Sequence, residues 1–308
     1  MTIVITGGSG FVGTKLSKKL LDKGYTVIVV DLHAPTFTNE KLFFIPLDLT
    51  KSIIPFGVLE HADAVVNLSG APISQKWNEE VQKVIYDSRI ESTKHVVQSF
   101  EATHARPGVL VNASAIGFYG ETGESISDEK TPAGKGFLAK VVTDWENEAN
   151  KASAFGVRVV LVRTAPVLGL GGMLALYTQT ARFGFLLGLQ KDFMLSWIHV
   201  DDLVDAYIFA IETSTVQGVI NAAAPETTSY KKLMLALSHT IHRRAFFFIP
   251  KKLALYVFGV DGYEELTVNQ LAKPSRLLDK GFVFTYPTLQ GALTQIYPVV
   301  QKNHEKSR

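Results

Sequence analysis

The stretch Thr6-Gly7-Gly8-Ser9-Gly10-Phe11-Val12-Gly13 constrains this chain more than any other feature, because it places a G-x-x-G-x-x-G turn directly between the first β-branched run and the first stretch of helical periodicity. Each glycine has a separate physical task. Gly7 lets the chain turn sharply, Gly10 lets the backbone approach a pyrophosphate resting on the helix N-terminus, and Gly13 lets helix and strand pack closely. A merely structural glycine-rich turn is the alternative.

The same rhythm continues downstream. Apolar runs at Ile3 to Thr6, Thr26 to Val30, Phe43 to Leu47, Ala64 to Asn67, Val109 to Ala113 and Val157 to Val162 are predicted strands, and Val12 to Asp22, Asn78 to Ala102 and Phe137 to Phe155 are predicted helices. Strands apolar on both faces, alternating with helices, imply an α/β protein with a doubly wound parallel sheet. After about residue 165 the alternation gives way to Gly-rich loops, Gly169 to Gly172 and Gly184 to Gly188. Residues 1–165 are therefore read as a dinucleotide-binding domain and 166–308 as mostly a smaller substrate-side lobe. Segments near 196–222 are expected to return to the main sheet, and a final helical portion to follow from Ser229. The polar tail, Gln301 to Arg308, is expected to fray.

Composition removes several function classes. A formal net charge of +2, with both signs mixed along the chain, offers no one-sided basic surface, so nucleic acid is not an expected partner. The chain has no cysteine, which rules out disulfides and thiolate metal sites and fits a reducing, cytoplasmic home. No His/Asp/Glu cluster has metal-ligand spacing, and neither G-x-S-x-G nor a P-loop lysine pattern is present. The first strand begins at Thr2, leaving no room for a signal peptide. The most apolar long stretch, Val157 to Tyr177, contains Arg158, Arg163, Pro166 and several glycines, so it reads as a buried strand followed by a loop, and no membrane partner is expected.

Two carboxylates extend the binding argument. Asp31, at the end of the second strand, can accept both hydroxyls of an adenosine ribose and would repel a 2′-phosphate, which favours NAD while leaving NADP possible. A plain turn-forming Asp is the alternative. Asp48, in Pro46-Leu47-Asp48-Leu49, is placed to reach an adenine amino group, or to cap its own loop.

With Asp63-Ala64-Val65-Val66-Asn67-Leu68-Ser69-Gly70 and Trp197-Ile198-His199-Val200-Asp201-Asp202 added to the glycine motif, the chain resembles the extended short-chain dehydrogenase/reductases, the NAD-dependent epimerase/dehydratase family, over nearly its whole length. Leu68-Ser69-Gly70-Ala71-Pro72-Ile73, Asp87-Ser88-Arg89-Ile90, Ser114-Ala115-Ile116-Gly117-Phe118-Tyr119-Gly120, Phe137-Leu138-Ala139-Lys140, Asp144-Trp145-Glu146 and Ser196-Trp197-Ile198-His199 are similar to one atypical branch. That branch is labelled "epimerase family protein" or nucleoside-diphosphate-sugar epimerase. The resemblance implies a Rossmann fold and a cofactor site at Gly7, Gly10, Phe11, Val12, Gly13, Asp31, Asp48, Leu49, Leu68, Ser69 and Gly70. It adds Arg89, where the family often has a cofactor-side Asn, and Arg163, before the nicotinamide-flanking loop. For Arg89 an ordinary surface arginine is an equal reading.

One departure governs the chemistry. Where the family has Tyr-x-x-x-Lys, a phenol pushed toward neutrality by a nearby cation, this chain has Phe137 and Val141. Tyr119 is a substitute acid/base or a packing residue, and Lys140 lies about 100° round the helix from the lysine's place. Ser114 stands ready to orient a substrate hydroxyl, one residue out of register with the family's serine. His199 and Asp202 are read as fixing the local chain, and Trp197 and Phe193 as pocket lining or core. The expected function is an NAD(P)-binding, epimerase-like oxidoreductase acting on a small hydroxylated or carbonyl substrate, nucleotide sugars included, with Ser114 and Tyr119 managing the proton. A non-catalytic dinucleotide sensor or protein-interaction module is the alternative. Either a monomer or a homodimer fits.

Overall fold

The computed structural model describes residues 1–171, 174, 185–189, 191–242 and 245–298. Seven parallel strands form the central sheet: β1 (Thr2–Thr6), β2 (Thr26–Asp31), β3 (Leu42–Pro46), β4 (Ala64–Asn67), β5 (Val109–Ala115), β6 (Arg158–Thr164) and β11 (Gly218–Ala222), in the spatial order β11-β6-β5-β4-β1-β2-β3. Successive side chains on a strand point to opposite faces, so one β-branched run feeds two cores. Ile3 and Ile5 of β1 join Leu16 and Leu20 of α1 (Phe11–Asp22) and Leu203, Tyr207 and Ile211 of a helix at Val200–Glu212. Val4 faces the other way, toward Val96, Val97 and Phe100 of α3 (Glu79–Glu101) and Ala149 of α4 (Phe137–Asn150). A short α2 (Phe56–Leu59) precedes β4, and the Val200–Glu212 helix is α5. Each fully buried Val or Ile stabilises the sandwich by about 1.5–3 kcal/mol.

This doubly wound order reverses between β1 and β4. A crevice therefore opens at their carboxyl ends, where such folds take ligands. The two strand ends approach so closely that a Cβ on Gly7 would lie 2.8 Å from the Leu68 carbonyl.

Past β6 the chain builds a second core from Leu168, Leu195, Trp197, Tyr230, Leu233, Leu237, Leu289 and Leu293. Its small sheets pair β7 (Val167–Leu168) with β10 (Ile198–His199), β9 (Met194–Leu195) with β12 (Thr228–Ser229), and β8 (Phe185–Leu189) with β13 (Ala245–Ile249). Among the described residues five further helices follow α5: α6 (Tyr230–Thr240), α7 (Lys251–Phe258), α8 (Val260–Leu266), α9 (Ser275–Asp279) and α10 (Leu289–Ile296).

Three expectations need correction. Of the segment opening at Ser196, the two-residue β10 pairs with β7 and not with the main sheet, while α5 packs on that sheet's face and Gly218–Ala222 returns beside β6. Residues 185–189 form a strand, not a loop. The run Ala245–Ile249, expected to be helical, is the strand paired with it, because a short apolar run carries no periodicity that separates the two states. Gly172, Gly184 and the tail from Gln301 lie outside the described residues.

The second lobe is laced to the first by the stretch 269–273. Gln270 donates its N–H to the Met194 carbonyl, Ser127 to that of Leu271, Lys273 to that of Ser127, and Ser196 exchanges hydrogen bonds with the backbone of Ala272. His199 and Asp202 do what the sequence suggests. His199 Nδ1 accepts from the Asp201 N–H, and the Asp202 carboxylate accepts from the Thr285 and Tyr286 N–H groups. Trp197 is core, fully buried, and Phe193 stacks on Tyr230.

Candidate functional site

The glycine turn sits at the carboxyl end of β1. Gly7, at φ +66°, donates its N–H to the Val30 carbonyl at 3.0 Å, and Gly10 donates to the Gly7 carbonyl at 3.2 Å. A Cβ on Gly13 would lie 2.6 Å from the Gly7 oxygen and the Gly8 Cα; one on Gly10 would meet only the Gly7 oxygen, at 3.3 Å. Gly13 is thus a packing requirement, and Gly10 leaves open backbone. Helix α1 has no side-chain cap and no acidic residue in its first turn, so the N–H groups near Phe11 and Val12 present positive potential to an anion. The Phe11 ring is clasped from the far side by the loop after β7: a Cβ on Gly169 or Gly171 would lie 2.6 or 2.3 Å from it.

Asp31, at the carboxyl end of β2, accepts from the Ser9 N–H at 3.0 Å and the Leu32 N–H at 2.7 Å, and the Ser9 hydroxyl donates to the His33 carbonyl. Its carboxylate therefore ties the glycine turn to β2. Asp48 caps its own loop, accepting from the Thr50 N–H and hydroxyl and pairing with Lys51; the Lys51 and Thr50 bonds hold its pKa below the ordinary value. Leu49 beside it is buried, its carbonyl 2.7 Å from His95 Nδ1.

Leu68, Ser69 and Gly70 run out from β4 over the crevice, with Ser69 N–H on the Asn67 side chain at 3.3 Å. Asn67 is held by the Thr6 hydroxyl and by its own bonds to Thr93 and Asn112, a polar row at matched register across β1, β4 and β5. Arg89 of α3 reaches over Gly70, 3.2 Å from where a Cβ would stand, and stacks on Trp145 at 5.4 Å. Its Nη1 donates to the Ile85 carbonyl, and among the described residues no carboxylate pairs with it. Burial pulls its pKa down to about 10.

Ser114, Tyr119 and Arg163 come together, but inside the protein rather than in the crevice. Arg163 forms a fork with Glu146, Nε to Oε1 and Nη2 to Oε2, both at 2.7 Å. Ser114 donates to the same Glu146 Oε1 at 2.5 Å; Arg163 Nη1 donates to the Tyr119 hydroxyl at 3.1 Å, which donates to Asn221 Oδ1 at 2.8 Å. The guanidinium lies 3.3 Å from the Phe118 ring centroid. Ser114 and Tyr119 are each 4% exposed and Arg163 3%. Burial pushes the Tyr119 pKa up, against the Arg163 charge that lowers it. Burial also works against the Arg163 charge, and Glu146 more than offsets it, raising that pKa. Arg163, expected on the cofactor side, is thus turned into the interior, because a guanidinium on a buried strand needs a carboxylate. Asn221 escaped the sequence reading and Glu146 entered it only within a motif, without a role, although the unpaired charge of Arg163 was the signal that a partner existed.

The places of the missing pair are apolar. Phe137 packs edge-on against Trp77 at 5.5 Å, Val141 is buried, and Lys140 turns outward to Asp144, which also accepts from the Tyr86 hydroxyl. Glu265 of α8 caps α4, accepting from the Phe137 N–H at 2.7 Å and the Leu138 N–H at 3.3 Å. Beside Phe137 and Gly120 lies a cavity of about 280 Å³, walled also by Lys135, Glu121, Asp261 and Glu264.

The model of the NAD dependent epimerase/dehydratase family matches residues 3–223, and that of a domain of unknown function (DUF1731) matches 249–296. An Arabidopsis thaliana protein named "Epimerase family protein SDR39U1 homolog, chloroplastic" is 35% identical over 306 residues, covering 96% of this chain and 86% of that protein. "Epimerase family protein Mb2239" of Mycobacterium bovis is 34% identical, covering 94% and 96%. The crystal structure of human epimerase family protein SDR39U1 (isoform 2) with NADPH superposes with a TM-score of 0.82 at 28% identity, covering 96% of this chain and 99% of that one.

Proposed function

The chain belongs to the NAD dependent epimerase/dehydratase family, and from that premise we propose that it binds a nicotinamide dinucleotide along the carboxyl edge of the sheet and acts as an oxidoreductase on a small hydroxylated or carbonyl compound. The observation carrying this is the cradle: Gly7 at positive φ, Gly13 with no room for a side chain, Gly10 open, and an uncapped helix start between them. Gly7, Gly10, Phe11, Val12 and Gly13 hold the pyrophosphate. Asp31 and Asp48 take the adenosine end, Leu49, Leu68, Ser69 and Gly70 flank it, and Arg89 supplies the cationic contact to a phosphate.

When bound, the nicotinamide would supply or accept a hydride. Tyr119 and Ser114 fix the turn after β5, since both hydroxyls are already committed to Arg163, Asn221 and Glu146. A carbonyl reduced beside Phe137 then takes its proton from water. The cavity there offers Lys135 against Glu121, Asp261, Glu264 and Glu265, a balance that favours uncharged substrates and ranks a nucleotide sugar below them.

Calorimetric titration of the cofactor-stripped protein with NAD, NADH, NADP and NADPH tests the binding. Preference for NAD or NADH assigns Asp31 to the ribose; tight NADPH binding removes that role and keeps the site; no binding by any of the four removes the reading. A second reading, a dinucleotide sensor without turnover, is favoured by the burial of Ser114 and Tyr119 and by Phe137 and Val141 in the places of the pair. Oxidation of bound NADH or NADPH by aldehydes, ketones or quinones supports the enzyme; tight binding with no oxidation across that panel supports the sensor.

A further inference from the structure

Helix α7 is apolar on both faces. It turns Ala254 into the second core, with Leu255 and Phe258 partly buried against it, while Leu253, Tyr256 and Val257 are 49%, 72% and 45% exposed. Val260, at the start of α8, is 56% exposed. Positions 253, 256 and 257 follow the spacing that lines one side of a helix, and Val260 follows beyond the break at Gly259 (φ +76°), so an apolar surface faces water, an arrangement that marks a contact surface.

One end of this surface is basic, whereas the exposed Asp261 and Glu264 lie beyond Val260 at the other. Lys251 and Lys252 are exposed at the start of α7, and Lys76, from the loop before α3, holds its ammonium 4.8 Å from the Tyr256 ring centroid. None of the three has a carboxylate partner among the described residues, whereas Lys15 and Lys19 on α1 and Lys23 at its C-terminal cap pair with Asp201, Asp205 and Glu212. In the sequence, Arg243, Arg244, Lys251 and Lys252 are the only charged residues of the stretch 243–260. The loop and the helix are joined: Trp77 donates its N–H to the Phe258 carbonyl at 2.9 Å, and Gly259 leaves no room for a side chain against the Trp77 oxygen, 2.5 Å from where a Cβ would stand.

We propose that this face docks on an anionic lipid surface, with Leu253, Tyr256, Val257 and Val260 entering the interfacial layer and Lys76, Lys251 and Lys252 meeting the headgroups. A tyrosine at headgroup depth and lysines whose stems lie along apolar surface suit that layer. A second copy of the chain across a two-fold axis parallel to α7 would bring the lysines of each rim against those of the other. The stripe also falls far short of the roughly 20–30 residues a side of a stable protein interface. The sequence led to the expectation of no membrane partner because it holds no spanning segment. No described helix is long and apolar enough to cross a membrane, and a surface contact needs none. Contact through so small a stripe is reversible and weakened by salt.

Co-sedimentation of the full chain with phosphatidylcholine vesicles, with and without phosphatidylglycerol, tests the proposal. The expected result is roughly tenfold more bound protein with the anionic lipid, falling as salt rises, and lost in the double variants Leu253→Ser/Tyr256→Ser and Lys251→Glu/Lys252→Glu. Circular dichroism and thermal midpoints matching the parent show that these exposed substitutions leave the fold intact. Equal sedimentation with both vesicle types, or binding that survives the Leu253→Ser/Tyr256→Ser change, overturns the proposal. A concentration-dependent dimer broken by Tyr256→Ser likewise overturns it and assigns the face to a second copy.

Discussion

Arg163 and Glu146 meet through two hydrogen bonds of 2.7 Å between β6 and α4, with side-chain exposures of 4% and 7%. Removing one partner strands the other charge in the interior. Glu146→Gln is expected to cost about 3–5 kcal/mol in denaturant unfolding. The paired replacement Arg163→Met/Glu146→Leu should recover only part of that loss, because the Ser114 hydroxyl still loses Glu146 and the Tyr119 hydroxyl its Arg163 donor. If Glu146→Gln proves neutral, the pair is not what holds β5, β6 and α4 in register.

Gly13→Ala and Gly10→Ala separate packing from binding. The first pushes a methyl to 2.6 Å from backbone atoms and should cost about 1–3 kcal/mol of stability. The second meets one oxygen at 3.3 Å and should change stability by less than about 1 kcal/mol, while weakening dinucleotide affinity because it fills the approach to the helix start. Thermal melts and calorimetry on the same samples read the two effects.

Tyr119→Phe deletes a hydroxyl that accepts from Arg163 and donates to Asn221. A stability loss of about 1–3 kcal/mol is expected, with cofactor oxidation rates within about tenfold of the parent. A collapse of turnover at unchanged cofactor affinity would return the phenol to the role of acid/base.

Arg89 lies beside Gly70 without a carboxylate partner among the described residues. Arg89→Met keeps the apolar stem against Trp145 and removes the charge, so affinity for all four dinucleotides should fall together while the fold is retained. Unchanged affinity would leave Arg89 a packing residue.

His199 has its pKa lowered by burial from an ordinary 6.5, an effect only partly opposed by Asp201, Gln295 and Asp202. The unfolded chain thus binds this proton more readily than the folded one, and stability should fall as pH drops through about 6.5. The buried Asp202, raised by burial from 3.8, acts with the opposite sign. His199→Asn keeps an acceptor for the Asp201 N–H and should flatten the midpoint between about pH 7 and 5 relative to the parent; parallel slopes would remove His199 as the cause.

The sequence alone carried the sheet and the glycine turn at its carboxyl edge. The glycine spacing, the β-branched runs and the carboxylates after β2 and β3 are local features whose periodicity fixes which face is buried and where a strand must end. The bounds of β4 were legible to the residue, and α1, α3 and α4 nearly so. What the sequence could not determine was any relation set by long-range register. Ser114, Arg163 and Asn221 are matched neighbours on β5, β6 and β11, but only the assembled sheet brings them into line, and only the crossing of α4 places Glu146 against them. Tertiary structure therefore decided that Ser114 and Tyr119 face the interior. Direction along a strand is read from alternation, whereas which partner satisfies a buried charge depends on contacts between segments far apart in the chain.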